Sequence, residues 1–299
     1  MRYRIQTLAM GTFPEIEIDQ EKFESLQKSR DILNAAMAIE EKYELLISNY
    51  LELEKDVLSV TAEYMIRPSR DYSEFFDIRS VFNRRIVNLL TSTKLYIDQI
   101  QQHVKVCNLD LVEDVKNEFK KEYGSEFEFR FMEALRNYVQ HRGLAVHLTS
   151  HPAKWVEQCE SDLLEFKTKI YTKKVELEGD KAFKKLVYQE MPEKVDLLLS
   201  TRKYVGAISR VHSFIRKGVE VQINAARTLV SDVLDEYSTL NNGIIIGVTA
   251  VAYEPGESLD NIVEKVPLLL LWDDVRLELV SKNSCVSNLE KRYVSGAYL

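Results

Sequence analysis

The chain has 299 residues, 45% of them hydrophobic and 29% charged, with only 10 Gly and 6 Pro. So few breakers predict an ordered, mostly helical protein, long enough to bury a sizeable core. Its 40 Lys+Arg against 47 Asp+Glu leave a formal net charge of −7, which excludes indiscriminate coating of nucleic acid by a broad basic field but not a local basic site.

In chain order, RYRIQTLAM and EIEID flank Gly11 and Pro14, and their alternation predicts an N-terminal strand or hairpin. From Asp19 to Met65 there is no Gly or Pro, and Leu45, Leu46, Tyr50, Leu53, Val57 and Leu58 recur at spacings of a long amphipathic helix, which Pro68 ends. A second long helix is expected from about Asp77 to Val106, then a shorter one over LVEDVKNEFKKEY, broken at Gly124-Ser125. A helix from about Glu126 to Arg142 follows, with Gly143 as its expected C-terminal cap. Another is expected from Ala153 to Val175, carrying Trp155, Leu163, Leu164, Phe166 and Ile170.

A short helix over Asp180 to Glu190 precedes a long one, opened by Pro192 and reaching about Leu240. Asn241-Asn242-Gly243 marks a turn. GIIIGVTAVAYE and VPLLLLWDDVRLELV read as strands separated by a loop at Pro255-Gly256, and both are candidates to pair with the N-terminal strand. The expected division is an N-terminal strand segment, 1–19; a helical bundle, 20–176; and C-terminal helices and strands without an assignable role, 177–299. The fold class is mostly α, about two-thirds helix, with a small β-sheet as its minor part.

Three cysteines (Cys107, Cys159 and Cys285) lie far apart and form no Cys-x-x-Cys pair, which predicts neither a disulfide framework nor a zinc module. MRYRIQTLAMGTF lacks the apolar stretch of a secretory signal, and no apolar run reaches the ~18–20 residues that span a bilayer. A cytoplasmic location without membrane contact is therefore expected.

The segment FMEALRNYVQHR, residues 131–142, carries the candidate chemistry. At 100° per residue, Phe131, Met132, Leu135, Tyr138 and Val139 form an apolar stripe, with Glu128 projecting into its N-terminal end. Arg136 and His141 fall on opposite edges of the polar face, and Glu133, Asn137 and Gln140 lie between them. Arginine stays charged and can grip two phosphoryl oxygens. Histidine, with a reference pKa near ~6.5, can donate or accept a proton at neutral pH.

Arg136-Asn137-x-x-x-His141, late in a helical pattern, resembles the signature of the HEPN family (higher eukaryotes and prokaryotes nucleotide-binding domains). The resemblance covers about residues 30–176. It implies a helical bundle that dimerises to bring two motifs together, and a metal-independent ribonuclease that needs no cofactor. It also implies an RNA substrate and, as in many members, an antitoxin or defence-system partner. By the same resemblance Arg136 binds phosphate, His141 is the acid or base and Asn137 supports them. Arg142, Gln140 and His147, in or just after the motif, are candidates to extend the substrate surface, with ordinary surface or loop polarity as the alternative. The chain departs from some toxin members, which carry a Tyr two residues after the His; Gly143 stands there. The alternative is a non-catalytic helical dimerisation or protein-interaction module, in which Arg136 and His141 make structural hydrogen bonds.

His151, beyond the motif, either extends the phosphate-binding surface or reflects loop polarity; His103 and His212 are more simply structural or solvated, and Arg84, Arg85 and Lys94 on the second helix are either groove-lining or solvent-facing. Neither a phosphate-cradling Gly-rich loop nor a Ser nucleophile elbow is present.

Overall fold

A computed structural model describes residues 1–68, 71–156, 163–254, 261–284, 286 and 288–292. The protein is 66% helical, with seven helices among the described residues and a small antiparallel β part. It divides into two compact units, each assembled from three stretches of chain. Neither unit coincides with the expected 20–176 segment.

Unit 1 comprises Met1–Glu41, Gln99–Asp114 and Phe214–Ser284. It begins with β1 (Arg2–Thr7) and β2 (Glu15–Ile18), followed by the start of α1 (Gln20–Ile66). Asp19 starts that helix by accepting the Lys22 N–H at 2.7 Å, the arrangement that satisfies an orphan donor of the first turn. The end of α2 (Tyr72–Cys107) and the start of α3 (Leu111–Ser125) also belong to this unit.

Unit 2 comprises Lys42–Asp98, Val115–Ser213 and Cys285–Leu299. It holds the remainder of α1, α2 and α3, and the whole of α4 (Phe127–His141). Asp71 caps α2 through the Glu74 N–H at 3.0 Å, so this helix begins at Tyr72, a turn and a half before the expected Asp77. After α4 come β3 (Leu148–Ser150), β4 (Ala153–Val156), β5 (Leu163–Phe166) and β6 (Lys169–Lys173). These strands replace the helix expected over 153–175. KIYTK alternates, and its β-branched Ile170 and Thr172 suit a pleated, half-buried surface better than a helix face. β4 and β5 pair as a two-stranded ribbon, whereas β6 is the middle strand of a three-stranded sheet.

The expected helix over Asp180 to Glu190 shrinks to α5 (Lys185–Glu190), and β7 (Lys194–Asp196) then completes the β3-β6-β7 sheet. The long helix α6 (Leu197–Leu240) therefore begins five residues after Pro192 rather than on it. Asp196 accepts the N–H groups of Leu198 and Leu199 at 3.0 and 3.2 Å and fixes that start. The core of unit 2 is formed by fully buried side chains such as Leu46, Phe82, Ile86, Phe131 and Tyr204.

The later part of α6 returns to unit 1, where β8 (Val248–Glu254) and β9 (Asn261–Pro267) follow it. The expected strand over GIIIGVTAVAYE is confined to β8, because Gly243 and Gly247 take positive φ and Ile244 to Ile246 lie in an exposed turn. VPLLLLWDDVRLELV splits: β9 ends at Pro267, and α7 (Leu271–Lys282) is helical, with Asp273 and Asp274 in its first turn. Asp273 pairs with Arg276 three residues on and with Arg227 of α6, each at 2.5 Å, contacts available to a helix but not to a strand.

The four-stranded sheet has the order β2-β1-β8-β9 and is antiparallel throughout. Register Arg2↔Tyr253 to Thr7↔Val248 joins the N-terminal strand to one near the other end of the sequence, as expected. Tyr237 of α6 secures the joint: its hydroxyl accepts the Thr7 N–H and donates to the Pro14 carbonyl, both at 3.0 Å. The Pro255-Gly256 loop lies outside the described residues. No helix among the described residues is long and apolar enough to cross a membrane.

Candidate functional site

α4 buries Phe129, Phe131, Met132, Ala134, Leu135 and Tyr138, so the expected stripe faces the core with Val139 half-buried at its edge. Glu128, which the periodicity points toward that stripe, is satisfied there by Lys203 of α6 at 2.8 Å.

Arg136 points inward, with a side chain only 13% exposed, and its Nη2 lies 3.9 Å from Glu133 Oε2. The other oxygen of Glu133 accepts a short hydrogen bond from the Tyr204 hydroxyl of α6. Burial raises the Tyr204 pKa well above the ordinary phenol value, and the Glu133 carboxylate adds to the rise. Tyr204 therefore stays a neutral donor. The Nε of Arg136 is buried without a hydrogen-bond partner among the described residues. A guanidinium in a low-dielectric setting, with one donor unpaired among the described residues and Glu133 at the edge of ion-pair range, retains capacity for a further anion.

Asn137 is half-buried, whereas Gln140, His141 and Arg142 are exposed at the end of the helix. Arg136 and His141 are thus separated by about 140° around α4 and do not converge within one chain. Arg142 lies 3.7 Å from Asp180, a loose and half-exposed pairing.

His147 is half-buried, and its Nδ1 accepts the Lys173 N–H at 3.1 Å. Its ring meets that of Tyr138 edge-on, with centroids 6.3 Å apart. Burial pushes its pKa down, with Glu176 opposing, so the ring favours the neutral form that accepts this hydrogen bond. The segment between α4 and β3 is held by Asn83 of α2. Its side chain accepts the Val146 N–H at 2.9 Å and donates to the Val146 carbonyl at 3.3 Å. Thr172 also donates to the Ala145 carbonyl at 2.7 Å. Sequence reasoning missed Asn83, because a lone Asn inside a helix carries no motif. Its burial is the only signal.

Gly143 is not the left-handed cap expected of it. It lies outside the set of positive-φ glycines, and a Cβ there would stand 2.4 Å from the Tyr138 hydroxyl oxygen. Glycine provides room for that ring.

His212 is buried against Tyr43, with ring centroids 3.7 Å apart, and its Nδ1 shares a hydrogen bond with the Tyr96 hydroxyl at 2.9 Å. His151 stacks on Tyr64, and its Nδ1 is 3.1 Å from Thr168 Oγ1. His103 is half-buried and has an interaction partner, while Arg84 is exposed. Arg85 is paired with Glu52 and Asp56, and Lys94 with Asp98, so neither brings an uncompensated charge to α2. The Cys107 thiol is buried and pushed up to about 11, which makes it inert at neutral pH. Cys159 and Cys285 lie outside the described residues. Two surface cavities, of ≈ 530 and ≈ 240 Å³, are lined by residues of unit 1 and not by the α4 motif.

No family model, curated protein or solved structure matches the chain. The functional reading therefore rests on the residues of α4 and their surroundings.

Proposed function

We propose that the protein is a metal-independent endoribonuclease of HEPN type, acting as a homodimer, with α4 as its catalytic helix. The observation that carries the reading is the state of Arg136. Its guanidinium is largely buried 3.9 Å from Glu133, yet its Nε has no hydrogen-bond partner among the described residues. A buried donor left open is costly unless something fills it, and a phosphate oxygen suits the charge. The exposed His141 ends the same helix.

In this mechanism an imidazole takes the proton from the RNA 2′-hydroxyl, and the 2′-oxygen attacks phosphorus. The bond to the 5′-oxygen breaks, that oxygen leaves with a proton taken from solvent water, the imidazolium later returns its proton to solvent, and a 2′,3′-cyclic phosphate remains. Arg136 stabilises the charge that builds on the phosphoryl oxygens, and Asn137 orients the imidazole or the phosphate. Because Arg136 and His141 diverge within one chain, a two-fold dimer supplies each Arg with the partner's His. An antitoxin or a second defence component is the natural regulator of such an activity.

The second reading, a non-catalytic dimerisation or interaction module, is favoured by one feature. Glu133 already faces Arg136 and would repel an incoming phosphate. The test is cleavage of varied RNAs by wild type, Arg136→Ala and His141→Ala. The catalytic reading expects each variant to lose about two or more orders of magnitude in rate, with cyclic-phosphate ends from the wild type and no cleavage of DNA. Wild-type inactivity on all RNAs would favour the interaction module.

A further inference from the structure

Beside the α4 motif, in the same unit, β6 and β7 place two lysines directly opposite each other: the antiparallel register pairs Lys173 with Lys194. Cross-strand neighbours share a face with their Cβ atoms roughly 5 Å apart, and like charges there are destabilising. Neither lysine has a carboxylate partner among the described residues. Elsewhere in this unit Arg85, Lys94, Arg130, Arg202, Lys203 and Arg210 are each neutralised by an acid. Lys194 is exposed and its Nζ lies 4.7 Å from the centroid of the Tyr171 ring, on that same face. Asp196, the nearest acid along β7, has its carboxylate engaged in capping α6.

This pair is tied to the motif by direct contacts. The Lys173 N–H is bound by His147, and the His147 ring packs on Tyr138, two residues after Arg136 and three before His141. The local sequence from Lys167 to Lys194 carries 8 Lys against 5 Asp+Glu, a positive stretch in a chain of net charge −7. An unneutralised cation pair beside an aromatic ring has the chemistry that grips a single-stranded backbone.

We propose that Lys173 and Lys194 form a phosphate-binding subsite that holds the RNA strand beside the scissile phosphate. The proposal rests on the reading of α4 as an RNA site. In it, anion binding relieves the repulsion between the two ammonium groups, and the subsite positions the strand without joining the bond-breaking step.

The test uses full-length His141→Ala protein, so that binding is read without turnover, and a fluorescent single-stranded RNA followed by anisotropy across a salt series. Adding Lys173→Gln and Lys194→Gln should weaken binding about tenfold at low salt and flatten the log–log salt slope by about 0.7–1.4. The control, Lys55→Gln with Lys120→Gln, removes the same charge from exposed positions elsewhere in the unit. Unchanged binding in the Lys173/Lys194 variant, an equal loss in the control, or no RNA binding by the parent would each overturn the subsite. Its melting temperature should equal or exceed that of the parent, which separates lost binding from lost folding. The two readings fail differently. Lysine-dependent binding without wild-type cleavage removes the catalytic role and keeps the subsite. His141-dependent cleavage with lysine-independent binding does the reverse.

Discussion

At Gly143 a single methyl group would reach 2.4 Å from the Tyr138 hydroxyl oxygen and 2.8 Å from its ring carbon Cζ. That ring packs edge-on to His147, so the collision would be passed into the segment linking α4 to β3. Gly143→Ala is therefore expected to cost about 1–3 kcal/mol, the range for overpacking, even though alanine would restrict the unfolded chain. Chemical denaturation measures it; a neutral or stabilising change would show that Tyr138 moves aside freely. The individual residues of α4 were partly legible in the sequence. Periodicity assigns Phe131, Met132, Leu135 and Tyr138 to the core, and all four are buried. It also sets Arg136 and His141 apart on the polar face, which holds for the exposed His141 but not for Arg136, whose side chain is turned inward. It cannot reveal that Arg136 faces a Glu133 carboxylate held by Tyr204, because Tyr204 arrives from α6, 68 positions later in the sequence. The opposition of Lys173 and Lys194 was hidden for a similar reason: it exists only once β6 and β7 are in register.

At the scale of elements, the long helices share one device at their start. Asp19, Asp71 and Asp196 each cap the helix that follows, through N–H groups two or three residues on. For α6 this capping replaces the expected opening at Pro192. Asp196→Ala should lower stability by about 1 kcal/mol, within a range of about 0.5–2, while Asp196→Asn should recover most of the loss. The urea midpoint would report this, and equal losses in both variants would mean that the carboxylate acts through its charge rather than as a cap. Long amphipathic helices were legible because their period persists over many turns, as in α1 and α2. Short apolar runs were not. LLLLWDDVRLELV reads as a strand until Asp273 is seen between Arg227 and Arg276, and 153–175 reads as a helix until β6 is seen between β3 and β7. Over a few residues, periodicity does not separate a buried strand from a buried helix.

For the molecule as a whole, two units are threaded by continuous helices, and β1 pairs with β8 across most of the sequence. The division into 1–19, 20–176 and 177–299 was drawn along the chain, whereas each unit collects distant stretches; the pairing of the N-terminal strand was the part legible in advance. On the proposed mechanism the catalytic unit is larger than one chain, since each Arg136 works with the His141 of a second copy. The most direct measurement is therefore to unfold, mix and refold Arg136→Ala with His141→Ala, and to assay RNA cleavage against each variant refolded alone. Random pairing places an intact Arg/His site in half of the dimers, one per dimer, so activity should return to about a quarter of the refolded wild-type level. No recovery, from a mixture shown to contain mixed dimers and alongside an active wild-type control, would contradict a site shared between two chains.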